Sequence, residues 1–123
     1  MASTVSVIIP TFNGAHKLAN IFKALKAQTF SDFELVVVVD GSNDNTKEVL
    51  DQYKKEFQNC KVIYQQNGGR AKVRNAGAKE AGGDLLIFFD DDMLPEPDCV
   101  AIHFQHHEKF SGSILMGTQI DRS

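Results

Sequence analysis

Two runs of consecutive apolar residues constrain the fold of this chain more than any other feature. Residues 35–39 and 85–89 contain no polar side chain, so neither run shows the alternation expected of a strand with one wet face. A strand that is apolar on both sides needs cover on both faces of its sheet, and parallel sheets obtain that cover from the helices that connect their strands. The sequence therefore predicts a mostly parallel sheet between two layers of helices.

The segments between the strand-like runs carry helical patterns. Leu18, Ile21, Phe22 and Leu25 are spaced at i, i+3, i+4 and i+7, which places them on one face of a helix. Alternating strands and helices with crossovers of this length imply right-handed parallel connections. We predict an α/β fold with an open, twisted, Rossmann-like sheet. The predicted strands cover 5–9, 33–39, 60–65 and 85–89, with 113–120 as a further strand, and the predicted helices cover 15–27, 69–81, 98–110 and a segment that starts at the capping pair Asn45 and Glu48 and ends near Asn59.

Length, composition and charge indicate an ordinary globular protein. A chain of 123 residues is long enough for one domain with its own core, and we assign residues 1–123 to a single domain. A net charge of −3 provides no basic surface for nucleic acid. Cys60 and Cys99 stand far apart and are expected to be unpaired, mostly buried thiols in a reducing compartment. No leader and no membrane-spanning run is visible, so we expect a cytoplasmic protein, with the inner face of a membrane and an oligomeric state left open.

Asp90, Asp91 and Asp92 follow directly on the apolar run 85–89. In an open parallel sheet the carboxyl ends of the strands face the ligand crevice. Like charges this close repel unless a cation or hydrogen-bond donors lie between them. Hard carboxylate oxygens favour Mg²⁺ or Mn²⁺. The alternative to a metal site is an acidic turn that caps the next helix and binds nothing. Haloacid dehalogenase-like phosphatases also place Asp-x-Asp after an apolar strand, but their motif belongs to the first strand, so they resemble this segment poorly.

Two other strand ends carry polar or aromatic residues. Residues 10–13 follow the first predicted strand, and residues 40–42 follow the second. We call Asp90, Asp91 and Asp92 the acidic triad. Because the carboxyl ends of parallel strands meet at one rim of the sheet, residues 10–13, residues 40–42 and the acidic triad are expected to lie together. Each segment alone is a common turn sequence, so the joint placement carries the prediction.

These segments resemble, in order, the GT-A-fold family 2 glycosyltransferases, inverting enzymes that use nucleotide-diphosphate sugars. The resemblance implies a GT-A fold and the transfer of a sugar, from a UDP-sugar donor in the first instance, to an acceptor hydroxyl with Mn²⁺ or Mg²⁺ as cofactor. The acceptor, whether saccharide, lipid or protein, is left open. The matching segments are 5–13, 28–30, 33–44, 67–77 and 83–95.

The resemblance implies roles for residues near the nucleobase. Pro10 and Phe12 would supply flat apolar surfaces and Asn13 an amide, with a core position as the alternative for Phe12. Asp40 would accept a hydrogen bond from uracil, with a turn-forming aspartate as the alternative. The family usually has a second aspartate where this chain has Val39, and strand alternation should point Val39 away from a crevice that Asp40 faces.

The resemblance also implies cationic and acidic contacts. Arg74, and with it Arg70, resembles the family's cationic contact near the nucleotide. Asp92 would hold the divalent cation with Asp90, and Asp90 or Asp91 would bond the ribose hydroxyls. Without a cation we expect the acidic triad to be mobile or partly protonated. Lys72 is assigned to the solvated surface.

The general base of an inverting transfer is not identified by any motif in this chain. Asp98, Glu108 and Asp121 are candidates by residue type only, and we expect the base to lie beyond Ser123. The chain is thus expected to be the donor-binding half of a truncated enzyme, or alternatively a non-catalytic nucleotide-sugar-binding or assembly module. His103, His106 and His107 have helical spacing for a metal site, but a surface histidine cluster is the favoured interpretation.

Overall fold

The computed structural model describes residues 5–41, 45–57, 59–66, 68–109 and 115–116. Five parallel strands form one sheet in the order β3-β2-β1-β4-β5. The predicted α/β architecture is confirmed. The elements are β1 Val5–Thr11, α1 Ala15–Lys26, β2 Phe33–Asp40, α2 Thr46–Lys54, β3 Cys60–Gln65, α3 Arg70–Glu80, β4 Leu85–Phe88, α4 Cys99–Lys109 and β5 Leu115–Met116.

The central strand β1 sets the position of both neighbouring strand ends. Thr11 is level with Val39 of β2, and Ile8 is level with Phe88 of β4. The chain moves outward from β1 through β2 to β3 and then returns to the other side of β1 with β4. The strand order therefore reverses beside β1, and a reversal of this kind leaves a crevice at the carboxyl ends of the strands.

Side chains alternate between the two faces of the sheet and build two separate cores. The larger core contains buried side chains of β1, β2 and β4 together with those of α1, α2 and α4. The smaller core packs Ile8, Val36 and Val38 against Val73 of α3. Both faces of the sheet are thus covered by helices, which explains why the central strands tolerate uninterrupted apolar sequence.

Helix α3 approaches the sheet closely at Gly77, which lies on the buried side of the helix. A β-carbon built at Gly77 would be 2.5 Å from Cγ2 of Ile8 and 3.2 Å from Cγ2 of Val38. A side chain of any size at this position would push the helix away from the strands. The approach matters for function because α3 also carries Arg74 to the carboxyl rim.

Gln28 ties the segment after α1 to the start of α4. Its side chain is buried, its Nε2 donates to the carbonyl of Glu96 at 2.7 Å, and its Oε1 accepts from the amide of Val100 at 3.0 Å. Thr29 donates its amide to the carbonyl of Pro97 at 2.7 Å. The chain that follows the acidic triad is therefore anchored at the opposite, amino rim of the sheet.

Three details differ from the sequence-based predictions, and the first is that α2 ends at Lys54 rather than near Asn59. Asn45 stands at the N-cap of α2, but its side chain makes no capping hydrogen bond, so the predicted capping pair with Glu48 is wrong in its contacts. His103 is fully buried rather than part of a surface cluster, although His106 is exposed. The reason is that His103 follows Cys99 and Val100 by one helical turn and shares their buried face. The side chain of His107 lies outside the described residues.

Other predictions agree with the structure or lie outside its described part. Val39 is buried in the larger core while Asp40 faces the carboxyl rim, as strand alternation requires. Cys60 and Cys99 form no disulfide, and burial raises the pKa of the Cys60 thiol against the opposing charge of Lys54. Only 115–116 of the predicted strand 113–120 are described. Among the described helices, none combines the length and apolarity needed to cross a bilayer.

Candidate functional site

A crevice of about 390 Å³ opens at the carboxyl rim beside β1. The ends of three strands, Val73 and Arg74 of α3, and Lys17 of α1 form its walls, and the parallel topology predicts a crevice at this rim. The crevice brings together most of the residues singled out from the sequence, and it adds three that were not. Its lining consists of Pro10, Thr11, Phe12, Lys17, Asp40, Val73, Arg74, Asp90, Asp91 and Asp92.

Two of the predicted site residues are not part of this lining as described. Asn13 is half-buried in the turn after β1, with a left-handed backbone at φ 49°, and does not line the crevice. Arg70 begins α3, but its side chain lies outside the described part of the chain. Positive φ is uncommon for a residue with a side chain, and asparagine is one of the few that adopt it readily. Asn13 thus serves the sharp turn that presents Phe12.

Phe12 provides an accessible flat surface at one end of the crevice. Its side chain is 49% exposed, so the alternative assignment to the core is wrong. Pro10 is half-buried beside it and extends the apolar surface. An aromatic ring held open on a rigid strand end offers a stacking platform, because ring faces gain stacking energy without a fixed hydrogen-bond pattern.

Asp40 is a buried carboxylate with partners from two later segments. Its Oδ1 accepts from Nε2 of Gln65 at 3.0 Å and from the amide of Gly68 at 2.9 Å, and Asp40 is 7% exposed. Burial alone would raise the pKa of Asp40, but these hydrogen bonds, one from Gly69 and the charge of Lys72 outweigh it and lower the pKa. Asp40 is therefore ionised near neutral pH and still has lone pairs available on the crevice side.

Arg74 supplies a fixed cation on the α3 wall. Its guanidinium carbon lies 5.8 Å from the centroid of the Phe88 ring, within reach of a cation–π contact. Its Nε is buried and has no hydrogen-bond partner in the described part of the chain. A buried donor without a partner is costly, which favours a ligand acceptor at this position.

The three aspartates of the triad have different surroundings. Asp92 is exposed, Asp90 is half-buried, and the Asp91 side chain is 13% exposed. Asp91 accepts a hydrogen bond from Oγ1 of Thr11 at 2.8 Å and lies 3.6 Å from Nζ of Lys17. The protein itself therefore supplies a hydrogen-bond donor and a cation to one carboxylate, which is one of the two ways of relieving the repulsion that the sequence analysis named.

The acidic triad fits a divalent cation only in part. Among the described residues, no group of three His, Cys, Asp or Glu side chains converges as a complete metal site. Mg²⁺ and Mn²⁺ accept one or two carboxylates when phosphate oxygens and water complete the shell. Asp90 and Asp92 match that requirement by chemistry and position, so a cation here would depend on an oxyanion ligand in the same crevice.

The acids considered as general bases lie away from this crevice or outside the described residues. Asp98 is exposed next to Pro97, whose carbonyl bonds Thr29 at the amino rim, so it does not face the site. The side chain of Glu108 and all of Asp121 lie outside the described part. The described acidic residues of the crevice are therefore Asp40 and the triad alone.

Sequence reasoning missed Thr11, Lys17 and Val73. Thr11 ends a strand with its side chain buried, which resembles an ordinary core threonine. Lys17 is a lysine in the first turn of a helix, a position that normally indicates solvated surface. Val73 lies on the buried side of α3 and packs on the sheet, where it resembles an ordinary core valine. No pattern in the chain distinguishes such residues, because their proximity to Asp90–Asp92 arises only when β4 pairs with β1.

Solved structures of glycosyltransferases share this fold. S. aureus TarS in complex with UDP-GlcNAc superposes with a TM-score of 0.79 and 31% identity, over 86% of this chain and 31% of TarS. A mannosyltransferase from Pyrobaculum calidifontis in complex with GDP-Man and Mn²⁺ has a TM-score of 0.71 and 23% identity, over 85% of this chain and 32% of that protein, and so supports the fold alone. The fold is the GT-A type expected from the sequence.

The sequence comparisons place the chain in one family. The family model for glycosyl transferase family 2 matches residues 6–123. The glycosyltransferase YfnE of Bacillus subtilis is 36% identical over 113 residues, which are 91% of this chain and 29% of YfnE. The chain belongs to glycosyl transferase family 2, and it spans about a third of the length of the relatives it matches.

Proposed function

We propose that this chain forms the donor site of a glycosyltransferase that transfers a sugar from a UDP-sugar to an acceptor hydroxyl with inversion. The observation that carries the proposal is that Phe12, Asp40, Arg74, Asp90 and Asp92 line one crevice. Those residues come from the turn after β1, the end of β2, helix α3 and the loop after β4. An aromatic surface, a buried carboxylate, a cation and paired acids are the groups that a nucleotide diphosphate with its metal requires.

The nucleobase would occupy the end of the crevice that is formed by the ends of β1 and β2. Phe12 and Pro10 offer it a flat apolar surface, and the ionised Asp40 accepts a hydrogen bond from an N–H donor on its edge. Uracil has such a donor at N3. UDP-GlcNAc in the related TarS structure supports uridine as the first nucleotide to test. Arg74 would donate to the phosphates or to the base edge through the Nε that has no protein partner.

The diphosphate would lie toward the acidic triad. Asp92, with Asp90, would hold Mn²⁺ or Mg²⁺, and Asp90 would also be placed to bond a ribose hydroxyl. The ion supplies charge neutralisation to the departing nucleoside diphosphate. In this proposal the residues of this chain bind and orient the donor, and the general base that activates the acceptor hydroxyl is not assigned to any of them.

Calorimetric titration of UDP and GDP, each with and without Mn²⁺, tests the proposal. The wild-type chain should bind UDP more tightly than GDP, and Mn²⁺ should strengthen binding. Asp92→Ala should remove that strengthening, whereas Asp51→Ala should not, because it deletes an exposed carboxylate of α2 that forms a surface ion pair with Lys47 at 3.7 Å. A folded chain that binds neither nucleotide would contradict the proposal.

The alternative of a non-catalytic binding module predicts the same titration results but no sugar transfer. A donor-hydrolysis assay on the longest available form of the protein separates the two. Release of UDP from a UDP-sugar that depends on Asp92 supports the enzyme, whereas tight binding with no release in any acceptor mixture supports the module.

A further inference from the structure

Asp91 occupies the middle of the acidic triad but is bonded to other parts of the protein. Its Oδ2 accepts a hydrogen bond from Oγ1 of Thr11 at 2.8 Å, across 80 residues of sequence. Its Oδ1 lies 3.6 Å from Nζ of Lys17. Both carboxylate oxygens are thus engaged by the β1 end and by the first turn of α1.

The space around this contact is fitted closely. Gly14 lies directly beside it, and a β-carbon at Gly14 would be 2.3 Å from both Oδ2 of Asp91 and Oγ1 of Thr11. The backbone of Gly14 has φ −101°, so any residue could adopt its conformation. The absence of a side chain at Gly14 therefore serves the approach of Asp91 to Thr11, since an added methyl group would occupy the place of the hydrogen bond.

The contact of Asp91 joins the two sides of the loop that contains Phe12. Thr11 precedes Phe12 and Asn13, while Gly14 and Lys17 follow them, and Asp91 joins the two sides from the loop after β4. Phe12 is 49% exposed, so about half of its surface is open to solvent. The pairing of β1 with β2 ends at Thr11 and Val39, so Phe12 lies just beyond the last paired residue of β1.

We infer that Asp91 is a positioning residue which, through Thr11 and Lys17, holds the base-stacking loop 12–14 at a set distance from the metal-binding carboxylates. The inference rests on the proposed function, because it assigns Asp91 neither to the metal nor to the ribose but to the alignment of the two ends of the nucleotide site. Asp91 also lines the crevice, but Asp90 and Asp92 are then the triad members assigned to contact the donor and its metal ion.

The experiment compares four variants by titration of UDP in the presence of Mn²⁺. Asp91→Ala and the isosteric Thr11→Val should each weaken UDP binding by about tenfold, the loss expected for a hydrogen bond to a charged group. The double variant should lose no more than Asp91→Ala alone, because Thr11→Val breaks a hydrogen bond that Asp91→Ala already removes. Asp91→Asn keeps an oxygen that can accept from Thr11 and should restore affinity to within about threefold of wild type.

The dependence on Mn²⁺ distinguishes positioning from metal binding. In Asp91→Ala and Thr11→Val the ratio of UDP affinities with and without Mn²⁺ should stay as in the wild type, whereas Asp92→Ala should abolish it. A loss in Asp91→Asn as large as in Asp91→Ala would overturn the inference, and so would an unchanged affinity in Thr11→Val. An affinity that rises in Asp91→Ala would do the same, since it would mean that this carboxylate repels the diphosphate directly.

Hydrogen exchange provides a readout that does not need the nucleotide. Amides of residues 12–18 should exchange about tenfold faster in Asp91→Ala and Thr11→Val than in the wild type, and Asp92→Ala should leave them unchanged. If neither the wild type nor any variant binds UDP, the proposed function is contradicted. The exchange rates still test whether the contact of Asp91 with Thr11 and Lys17 holds the loop. Wild-type exchange rates in both variants would show that the loop is held by other contacts and would refute the positioning role.

Discussion

His103 should make the stability of this protein fall as the solution becomes mildly acidic. The side chain is fully buried in α4, and neither ring nitrogen has a hydrogen-bond partner within the described residues. Burial, with a smaller contribution from the charge of His106, lowers the pKa of His103 from 6.5 to about 4. The folded state therefore holds His103 neutral at a pH where the unfolded chain would protonate it.

The direction and size of the effect follow from proton linkage. Because the pKa of His103 is depressed in the folded state, the stabilisation is complete above pH 6.5 and is lost as the pH falls toward 4. With a His103 pKa of 6.5 in the unfolded chain and about 4 in the folded state, the free energy of unfolding falls by about 2 kcal/mol between about pH 7.5 and about pH 5. The pKa values of Glu34 and Asp40 are lowered from 4.5 and 3.8, so their contributions change only at more acidic pH.

Urea unfolding measures this loss directly. The chain contains no tryptophan, so far-ultraviolet circular dichroism is the suitable signal. His103→Leu replaces the ring with an apolar side chain and should abolish the difference in unfolding free energy between the two pH values. It should also leave the protein at least as stable at neutral pH, since it removes two buried nitrogens that have no hydrogen-bond partner among the described residues. His16→Gln, at an exposed position of α1, is the control and should keep the wild-type difference.

Equal losses in wild type and His103→Leu would refute the reasoning. Such a result would mean that His103 finds a proton acceptor when charged, or that α4 opens at little cost and exposes the ring to water. A loss confined to pH values below about 4 would instead assign the acid sensitivity to the carboxylates.

Two further predictions concern the sheet. Gly77→Ala should lower the unfolding free energy by about 1 to 3 kcal/mol in urea unfolding, because the new methyl group would be 2.5 Å from Cγ2 of Ile8; an unchanged stability would show that α3 can shift freely. The carboxylate of Glu34 accepts hydrogen bonds from Oγ of Ser6 at 2.6 Å and from Nζ of Lys61 at 2.8 Å. Burial alone would raise the pKa of Glu34, but these hydrogen bonds and one from the amide of Gly82 outweigh burial and lower the pKa. Glu34→Gln should therefore cost about 1 to 2 kcal/mol at neutral pH, and the deficit should shrink as the pH falls below 4.5, where the wild-type carboxylate loses its advantage; a deficit independent of pH would contradict this origin.

Part of the site was predictable because it follows from strand direction. Parallel strands place their carboxyl ends at one rim, so Phe12, Asp40 and Asp90–Asp92 were expected together and are found lining one crevice. Arg74 was expected there through the family resemblance rather than through any periodicity. The metal and nucleotide roles of these residues stay predictions until the titrations are done.

Other features were misjudged because a local pattern does not report on depth or on contacts. His103 lies among histidines and polar residues that suggested a wet helix face, yet packing of α4 on the sheet buries it completely. Asn45 has the right residue type and position for a cap, but the side chain makes no such bond. In both cases the residue type was identified correctly and its surroundings were not.

The amino-acid sequence by itself determined the kind of fold and the rim at which the site lies. Runs of β-branched residues and the 3.6-residue spacing of apolar side chains are local properties, and they suffice for strands, helices and a parallel sheet covered on both faces. Only the tertiary structure decided that Asp91 is bonded to Thr11 and Lys17, and that Asp40 is bonded to Gln65 and Gly68. Those contacts join distant segments, and they depend on strand order, register and side-chain direction, which no local spacing of residues encodes.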